Sequence, residues 1–271
     1  MKFLILSHLP TIYSTQRLVQ EIESCGHKVT VANPENPALL SDLQGDIVIP
    51  RLGMYRYDEA RANLENLQKS NHAQVVLNPL PYFHQARHKR IAHEILAELP
   101  QPKILTEVTS FPVIVKDGLS SKGRGVFLCK NQTELEECQL KLQGREVLYQ
   151  EFIAESQGRD IRVFVIGQKV IACMERTSAN PQEEFRSNLS LGGQGRKTTI
   201  SRQEEDLCIA AVRRLKLDYA GVDLIPSHRG GLILEVNPCP GLEGIEKWSQ
   251  KNIAKEIVLY AESIYHSNSH R

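Results

Sequence analysis

Apolar residues recur along this chain in two rhythms, and the change between them falls near residue 80. Before it, short apolar runs at residues 3–7, 29–32, 46–50 and 75–77 read as strands. Leu18, Ile22 and Cys25 recur at helical spacing, with Ser14 or Thr15 as the cap and Gly26 as the stop. Residues 59–70 read as a second helix. Strand alternating with helix predicts a small parallel α/β domain over residues 1–80.

After residue 80 the strands come in runs. A helix is predicted over 85–99, with Ile91, Ile95 and Leu99 on one face and Pro100 as its stop. Strands follow at 111–116, 125–129 and 147–150. Residues 161–166 and 170–175 flank Gly167-Gln168, a hairpin signal, and 222–225 with 232–236 form another hairpin. Capping boxes at 133–136 and 201–204 open two helices, the second running to about Leu215. A last helix carries Ile253, Ile257, Tyr260 and Ile264. Antiparallel strands with segregated helices make residues 81–271 α+β.

Composition narrows the function. Lys and Arg total 33 against 32 Asp and Glu, a net charge of +1, so bulk-charge binding of nucleic acid is not expected. No window approaches 18 uninterrupted apolar residues and no signal peptide is evident, so the expectation is a cytoplasmic protein without a membrane partner. Six cysteines without a CxxC pair read as reduced thiols.

The sharpest chemical signal is the last hairpin. If it turns about Arg229, Asp223 lies opposite Glu235, and Asn237 shares a face with Glu235 because strand side chains repeat every two residues. Facing carboxylates destabilise a ladder unless a cation joins them, and two carboxylates with an amide oxygen suit Mg²⁺ or Mn²⁺. The other reading is a solvated face with unpaired acids. Lys116 ends an apolar strand, where its charge could meet a phosphate. The loop after it, Ser120-Ser121-Lys122-Gly123-Arg124-Gly125, has glycines, hydroxyls and cations that let backbone amides approach an anion. An ordinary basic turn would look the same. Gln150-Glu151-Phe152-Ile153, followed by Asp160, could hold an adenine and a ribose, or could be a strand end with a surface acid. Arg176, then Arg186-Ser187-Asn188 in a glycine-containing loop, suit phosphate or carboxylate recognition, or form a solvated polar loop.

The order of these stretches adds information that none carries alone. Residues 150–162, 185–189, 220–223 and 235–246, with the N-terminal stretch 5–19 and Asp46-Ile47-Val48-Ile49-Pro50-Arg51, resemble the ATP-grasp superfamily. Within it, the chain is similar to the RimK-type α-L-glutamate ligases. The resemblance implies an α/β N-terminal domain over 1–80 and an α+β ATP-grasp domain over 81–271, whose two subdomains clamp ATP.

It also implies a carboxylate–amine ligase working through an acyl phosphate. By resemblance, Lys116 and Lys89 contact nucleotide, and Ser120, Ser121, Gly123 and Gly125 cover the phosphates. Gln150, Glu151, Phe152 and Ile153 meet adenine, and Asp160 meets the ribose. Arg186, Ser187 and Asn188 lie at nucleotide and acyl phosphate, with Arg162 and Arg176 as further phosphate or substrate contacts. Asp223, Glu235 and Asn237 hold two Mg²⁺ or Mn²⁺ ions. The implied substrates are an amino acid, L-glutamate first, and an acceptor that is a protein C-terminus, peptide or small metabolite; a homo-oligomer is expected. The alternatives are a ligase of the same fold for another amino acid or peptide product, and a non-catalytic nucleotide sensor.

Overall fold

A computed structural model describes residues 1–35, 45–52, 75–120 and 125–269. The helix expected over 59–70 lies outside the described residues. Strands β1 (Lys2–Leu6), β2 (Lys28–Ala32), β3 (Ile47–Pro50) and β4 (Val75–Val76) form a parallel sheet in the order β2-β1-β3-β4. Helix α1 (Tyr13–Ser24) is the crossover from β1 to β2, and the left-handed Gly26 ends it (φ +79°). Its cap differs from expectation. Ile12 holds that position without a side-chain bond, and Ser14 and Thr15 are buried inside the helix. Tertiary partners explain this: Ser14 Oγ accepts from Leu242 N, and Thr15 Oγ1 meets Ser7 Oγ.

The predicted 85–99 helix is two helices, α2 (Leu80–Arg87) and α3 (Lys89–Ile95). His88 turns extended between them (φ −84°, ψ 106°) and its ring caps α3 through the Ile91 amide. Contacts with a neighbouring sheet override helical propensity here. Lys89 N bonds Gly118 O at 3.1 Å, and His88 and Arg90 both pair with Glu146.

That sheet is antiparallel, in the order β5-β8-β6-β7: β5 (Ile104–Leu105), β6 (Val113–Asp117), β7 (Val126–Cys129) and β8 (Val147–Glu151). Helix α4 (Gln132–Lys141) covers one face. Asn131, not Thr133, caps it, accepting from Glu134 N at 3.0 Å. The third sheet runs β11-β10-β9-β12-β13 and is antiparallel throughout: β9 (Arg159–Ile166), β10 (Lys169–Thr177), β11 (Gln194–Lys197), β12 (Tyr219–Ile225) and β13 (Leu232–Asn237). Helix α5 (Arg202–Arg214) starts with the complete Ser201–Glu204 capping box. Helices α6 (Glu243–Ser249) and α7 (Ile253–Ser269) close the chain. The short elements β5, β11 and α6 were not expected from the pattern.

One face of the N-terminal sheet packs Leu4, Leu6 and Val48 against Leu80 and Phe83 of α2, and the other shares its core with the rest of the chain. Phe3, Ile5, Leu18 and Ile22 share one buried cluster with Phe164, Met174 and Tyr219 of the third sheet and with Ile253 and Ile257 of α7. The other face of the third sheet packs on α5 through Val163, Val222, Cys208 and Val212. Among the described residues no helix is long and apolar enough to cross a membrane.

Candidate functional site

The third sheet is buried on both faces, yet one face changes character along its length. Side chains directly opposite in antiparallel strands share a face. Phe164, Ala172, Met174 and Tyr219 occupy the apolar end beneath the N-terminal sheet. Two residues further along β9 the same face carries charge. Asp160 lies opposite Arg176 on β10, Arg162 lies opposite Asp223 on β12, and Asp223 lies opposite Glu235 on β13. The facing-carboxylate register expected from the hairpin is present.

These charges form an alternating network. Arg176 grips Asp160 with two bonds, at 2.7 and 2.6 Å, and reaches Asp223 at 2.9 Å. Arg162 grips Asp223 through Nε and through Nη2, the latter at 3.0 Å. Asp160, Arg176 and Asp223 are each about 95% buried. Burial raises the Asp160 carboxyl, and the Asp223 charge adds to it, against the pull of Arg176. For Asp223 burial acts the same way, but Arg162 and Arg176 together prevail and hold it below the usual carboxylate range. Gly221 makes room for this packing. A Cβ there would stand 2.9 Å from Pro240 Cβ and 3.1 Å from Arg162 Cδ.

The residues expected to meet nucleotide therefore divide into two groups. Asp160, Arg162 and Arg176 are inside the network rather than on a solvated edge, and a ribose contact at Asp160 needs one oxygen to be shared with Arg176. Ser187 is buried and bonds Asp160. Arg186 pairs with Glu184 at 2.6 Å, lies over the Phe185 ring and reaches toward Val126 O of β7. Asn188 opens the single turn 189–191, and Gly193 lets the end of β10 come against 187–188, since a Cβ there would sit 2.6 Å from Ser187 O.

The second group lines a pocket between the two antiparallel sheets. Lys89, Lys116, Leu148, Gln150, Ile233 and Glu235 face it. Lys116 is 8% exposed, and among the described residues its ammonium has no hydrogen bond or ion pair. Burial pushes it down to about 8 despite the opposing pull of Glu235 and Asp223, and Lys89 pushes the same way. Lys89 Nζ donates to Asp117 O at 3.0 Å and to Ser120 Oγ at 3.2 Å, so it anchors the start of the glycine loop. Burial also lowers its pKa. The loop base is closed by Asp117 N on Gly125 O at 2.8 Å, with Gly125 left-handed (φ +70°). Ser121 and Gly123 lie outside the described residues.

Glu151 is held at the strand end: its carboxylate accepts from Lys103 N at 2.7 Å and from Arg229 at 2.6 Å. Phe152 is half-buried and Ile153 is buried beside it. His93 and Gln101 also line the pocket, and sequence reasoning did not single them out. They come from the helix α3 and the coil behind it, and no motif spacing marks them.

Glu235 is exposed and, among the described residues, makes no hydrogen bond or ion pair, although it lies opposite Asp223 and pulls electrostatically on Lys116 and Lys89. Asn237 accepts from Cys239 N at 2.9 Å, which leaves its carboxamide oxygen a second lone pair. Two carboxylates and one amide oxygen form a hard donor set. It fits a divalent cation that keeps water and phosphate oxygens as its other ligands. Asp223 enters such a site already partnered by arginine.

A family model for a RimK-like ATP-grasp domain matches residues 89–261. A protein of Pasteurella multocida named "Probable alpha-L-glutamate ligase" is 37% identical over 98% of this chain and 95% of its own length. The fold matches a structure of the ATP-grasp ligase PsnB complexed with minimal precursor at TM-score 0.73, with 18% identity over 97% of this chain and 98% of that one. A Bacillus anthracis D-alanine–D-alanine ligase complexed with ATP matches at TM-score 0.74, with 15% identity over 99% and 98%.

Proposed function

Because the chain belongs to the RimK-like ATP-grasp family and is an ATP-dependent carboxylate–amine ligase, we propose that it adds L-glutamate, through its amino group, to the carboxylate of a peptide, protein C-terminus or small metabolite. An acceptor carboxylate oxygen attacks the γ-phosphorus of ATP, and ADP leaves. The glutamate amine then attacks the acyl carbon, phosphate leaves and the amine proton is released, giving the amide. No enzyme nucleophile is needed, so the protein's work is positioning and charge neutralisation.

In this reading residues 81–271 act as the nucleotide clamp, with residues 1–80 on the acceptor side. Lys116 and Lys89 neutralise phosphate oxygens, and the loop carrying Ser120, Ser121, Gly123 and Gly125 covers them. Gln150 through Ile153 seat the adenine, while Asp160 reaches the ribose by sharing an oxygen with Arg176. Arg186, Ser187 and Asn188 face the transferring phosphoryl group. Bound Mg²⁺, or two Mg²⁺ or Mn²⁺ ions, between Asp223, Glu235 and Asn237 would screen the charge of that group.

The observation that carries the reading is Glu235, set opposite Asp223 and facing Lys116, with neither side chain paired among the described residues. An acid and a buried lysine that face each other without a partner among the described residues are what a metal–phosphate pair completes. The test is ADP release from Mg-ATP with each amino acid in turn, with peptides, small metabolites and cell-extract proteins as acceptors, followed by mass analysis. Glutamate-dependent turnover with a mass gain of one or more glutamyl units is expected. Turnover with a different amino acid only would replace glutamate in the assignment.

A further inference from the structure

Three side chains from the carboxyl edge of the N-terminal sheet reach the backbone that follows the metal hairpin, and they take alternate residues of it. Asn78, after β4, donates Nδ2 to Pro238 O at 2.8 Å. Arg51, after β3, donates Nη2 to Pro240 O at 2.9 Å. Ser14, in the first turn of the helix that follows β1, accepts from Leu242 N at 2.9 Å. All three are at least 95% buried.

Asn78 does more than hold one carbonyl. Its Oδ1 accepts from Asp218 N at 2.7 Å and Tyr219 N at 3.1 Å, and its Nδ2 also donates to Tyr219 O at 2.8 Å. One carboxamide thus ties the start of β12 to the residue just after β13, bracketing both strands that carry Asp223, Glu235 and Asn237. The backbone of Asn78 is left-handed (φ +56°), a conformation asparagine tolerates better than most residues.

Arg51 argues against packing as the whole explanation. Among the described residues its Nε and Nη1 have no hydrogen-bond partner, and the Tyr219 hydroxyl lies beside the guanidinium. Buried donors left unsatisfied cost stability, and an apolar side chain would fill the position at less cost. Among the described residues, what Arg51 provides and an apolar side chain could not is the bond to Pro240 O. The clamped segment also orients Asn237, whose carboxamide accepts from Cys239 N inside it.

We propose that Asn78, Arg51 and Ser14 are positioning residues of the divalent-metal site: the N-terminal sheet clamps residues 238–242 and thereby holds the Asn237 carboxamide in its ligating position. Metal affinity then depends on side chains that touch neither metal nor nucleotide. This rests on the metal reading of Asp223, Glu235 and Asn237 given above.

The test is Mn²⁺ binding in the presence of ADP, read by electron paramagnetic resonance, with nucleotide affinity in EDTA and the thermal midpoint measured alongside. Arg51→Met should weaken Mn²⁺ binding about tenfold, as loss of outer-shell support typically does, and leave metal-free nucleotide affinity unchanged. Arg51→Lys, which keeps a donor for Pro240 O, should restore most of that affinity. Ser14→Ala removes a single acceptor from the same clamp and should weaken Mn²⁺ binding in the same direction by a smaller factor, so the proposal stays testable if Arg51→Met fails to fold. Unchanged Mn²⁺ affinity in Ser14→Ala and in any folded Arg51 variant would overturn it. Glu235→Gln and Asn237→Ala serve as references. If these weaken Mn²⁺ binding and the clamp variants do not, the clamp alone is wrong; if these too leave it unchanged, the metal reading fails and the clamp with it.

Discussion

Two sets of buried cations meet at this site, and they are held in opposite ways. Arg162 and Arg176 are matched to Asp160 and Asp223 by fork-shaped, mostly bidentate contacts inside one sheet. Guanidinium geometry suits that task, and such a closed set presents little free charge. Among the described residues Lys116 has no such partner, and burial lowers its pKa to about 8, so its charge is held at a cost. The difference teaches which residues shape the site and which await a ligand. The arginines fix where the carboxylates point. The lysines hold an unbalanced charge that an incoming polyphosphate would relieve.

Substitutions can break or sharpen that contrast. The largest effect is expected at Glu235, which has no partner to lose among the described residues. Glu235→Gln should cut ATP turnover about a hundredfold or more while the unfolding midpoint stays put. Asp223→Asn should lose turnover as well, but it should also destabilise the fold, because Arg162 loses its carboxylate partner and Arg176 loses one of two. Full turnover in Glu235→Gln would remove the metal assignment.

Next is Arg176→Met, which leaves Asp160 and Asp223 buried without their shared partner. The unfolding free energy in urea should fall by about 3–5 kcal/mol. A loss as small as that of a surface pair would mean that the network is not closed as described.

Lys116→Met should behave in the opposite sense. ATP binding should weaken about tenfold with loss of a charge-assisted contact, while the folded protein gains stability at neutral pH. The sign follows from linkage: the folded Lys116 titrates near 8 and the unfolded one near 10.5. Below about 8 the lysine is charged in both states and folding bears the full burial penalty. Between about 8 and 10.5 the unfolded chain binds more protons, so the wild type gains stability with rising pH and the advantage of Lys116→Met shrinks. Wild-type ATP affinity should also decline as pH rises above 8, with no such decline in the variant. Equal ATP affinity in both proteins would take Lys116 out of the site. The smallest effect is at Ser201→Ala, far from the pocket, which should cost about 1 kcal/mol through the lost cap and leave turnover alone.

Much of this contrast was readable in one dimension. The Asp223–Glu235 pairing was legible from a two-residue period and a turn near Arg229, both local properties; the turn closes between Ser227 and Gly230, and a bulge between Asp223 and Leu224 brings Glu235 into register. The Gly167 hairpin and the Ser201 capping box are local in the same way. Where tertiary contacts entered, local signals misled. The helix expected over 85–99 breaks at His88 because Gly118 and Glu146 hold the residues around it. Ser14 looked like a helix cap, yet it accepts from an amide 228 residues away. The surface-acid alternative for Asp160 fails, because its partner Arg176 on the next strand keeps it inside the sheet.

What this sequence determines by itself is the set of chemical groups and the strands that present them, because hydrophobic period, turn residues and caps act over a few positions. It therefore already specifies a parallel α/β beginning, an antiparallel remainder and a hairpin that faces two carboxylates. The tertiary structure decides which charges are neutralised and which remain available. That depends on burial and on neighbours from distant strands, so Arg162 and Arg176 become internal supports while Lys116 keeps a buried charge without an ion pair among the described residues. It also decides that the first sheet clamps the segment after Asn237, since Asn78, Arg51 and Ser14 meet residues 238–242 only when the chain is folded. Electrostatic energies vary with distance and solvent exclusion, neither of which is written in the order of residues.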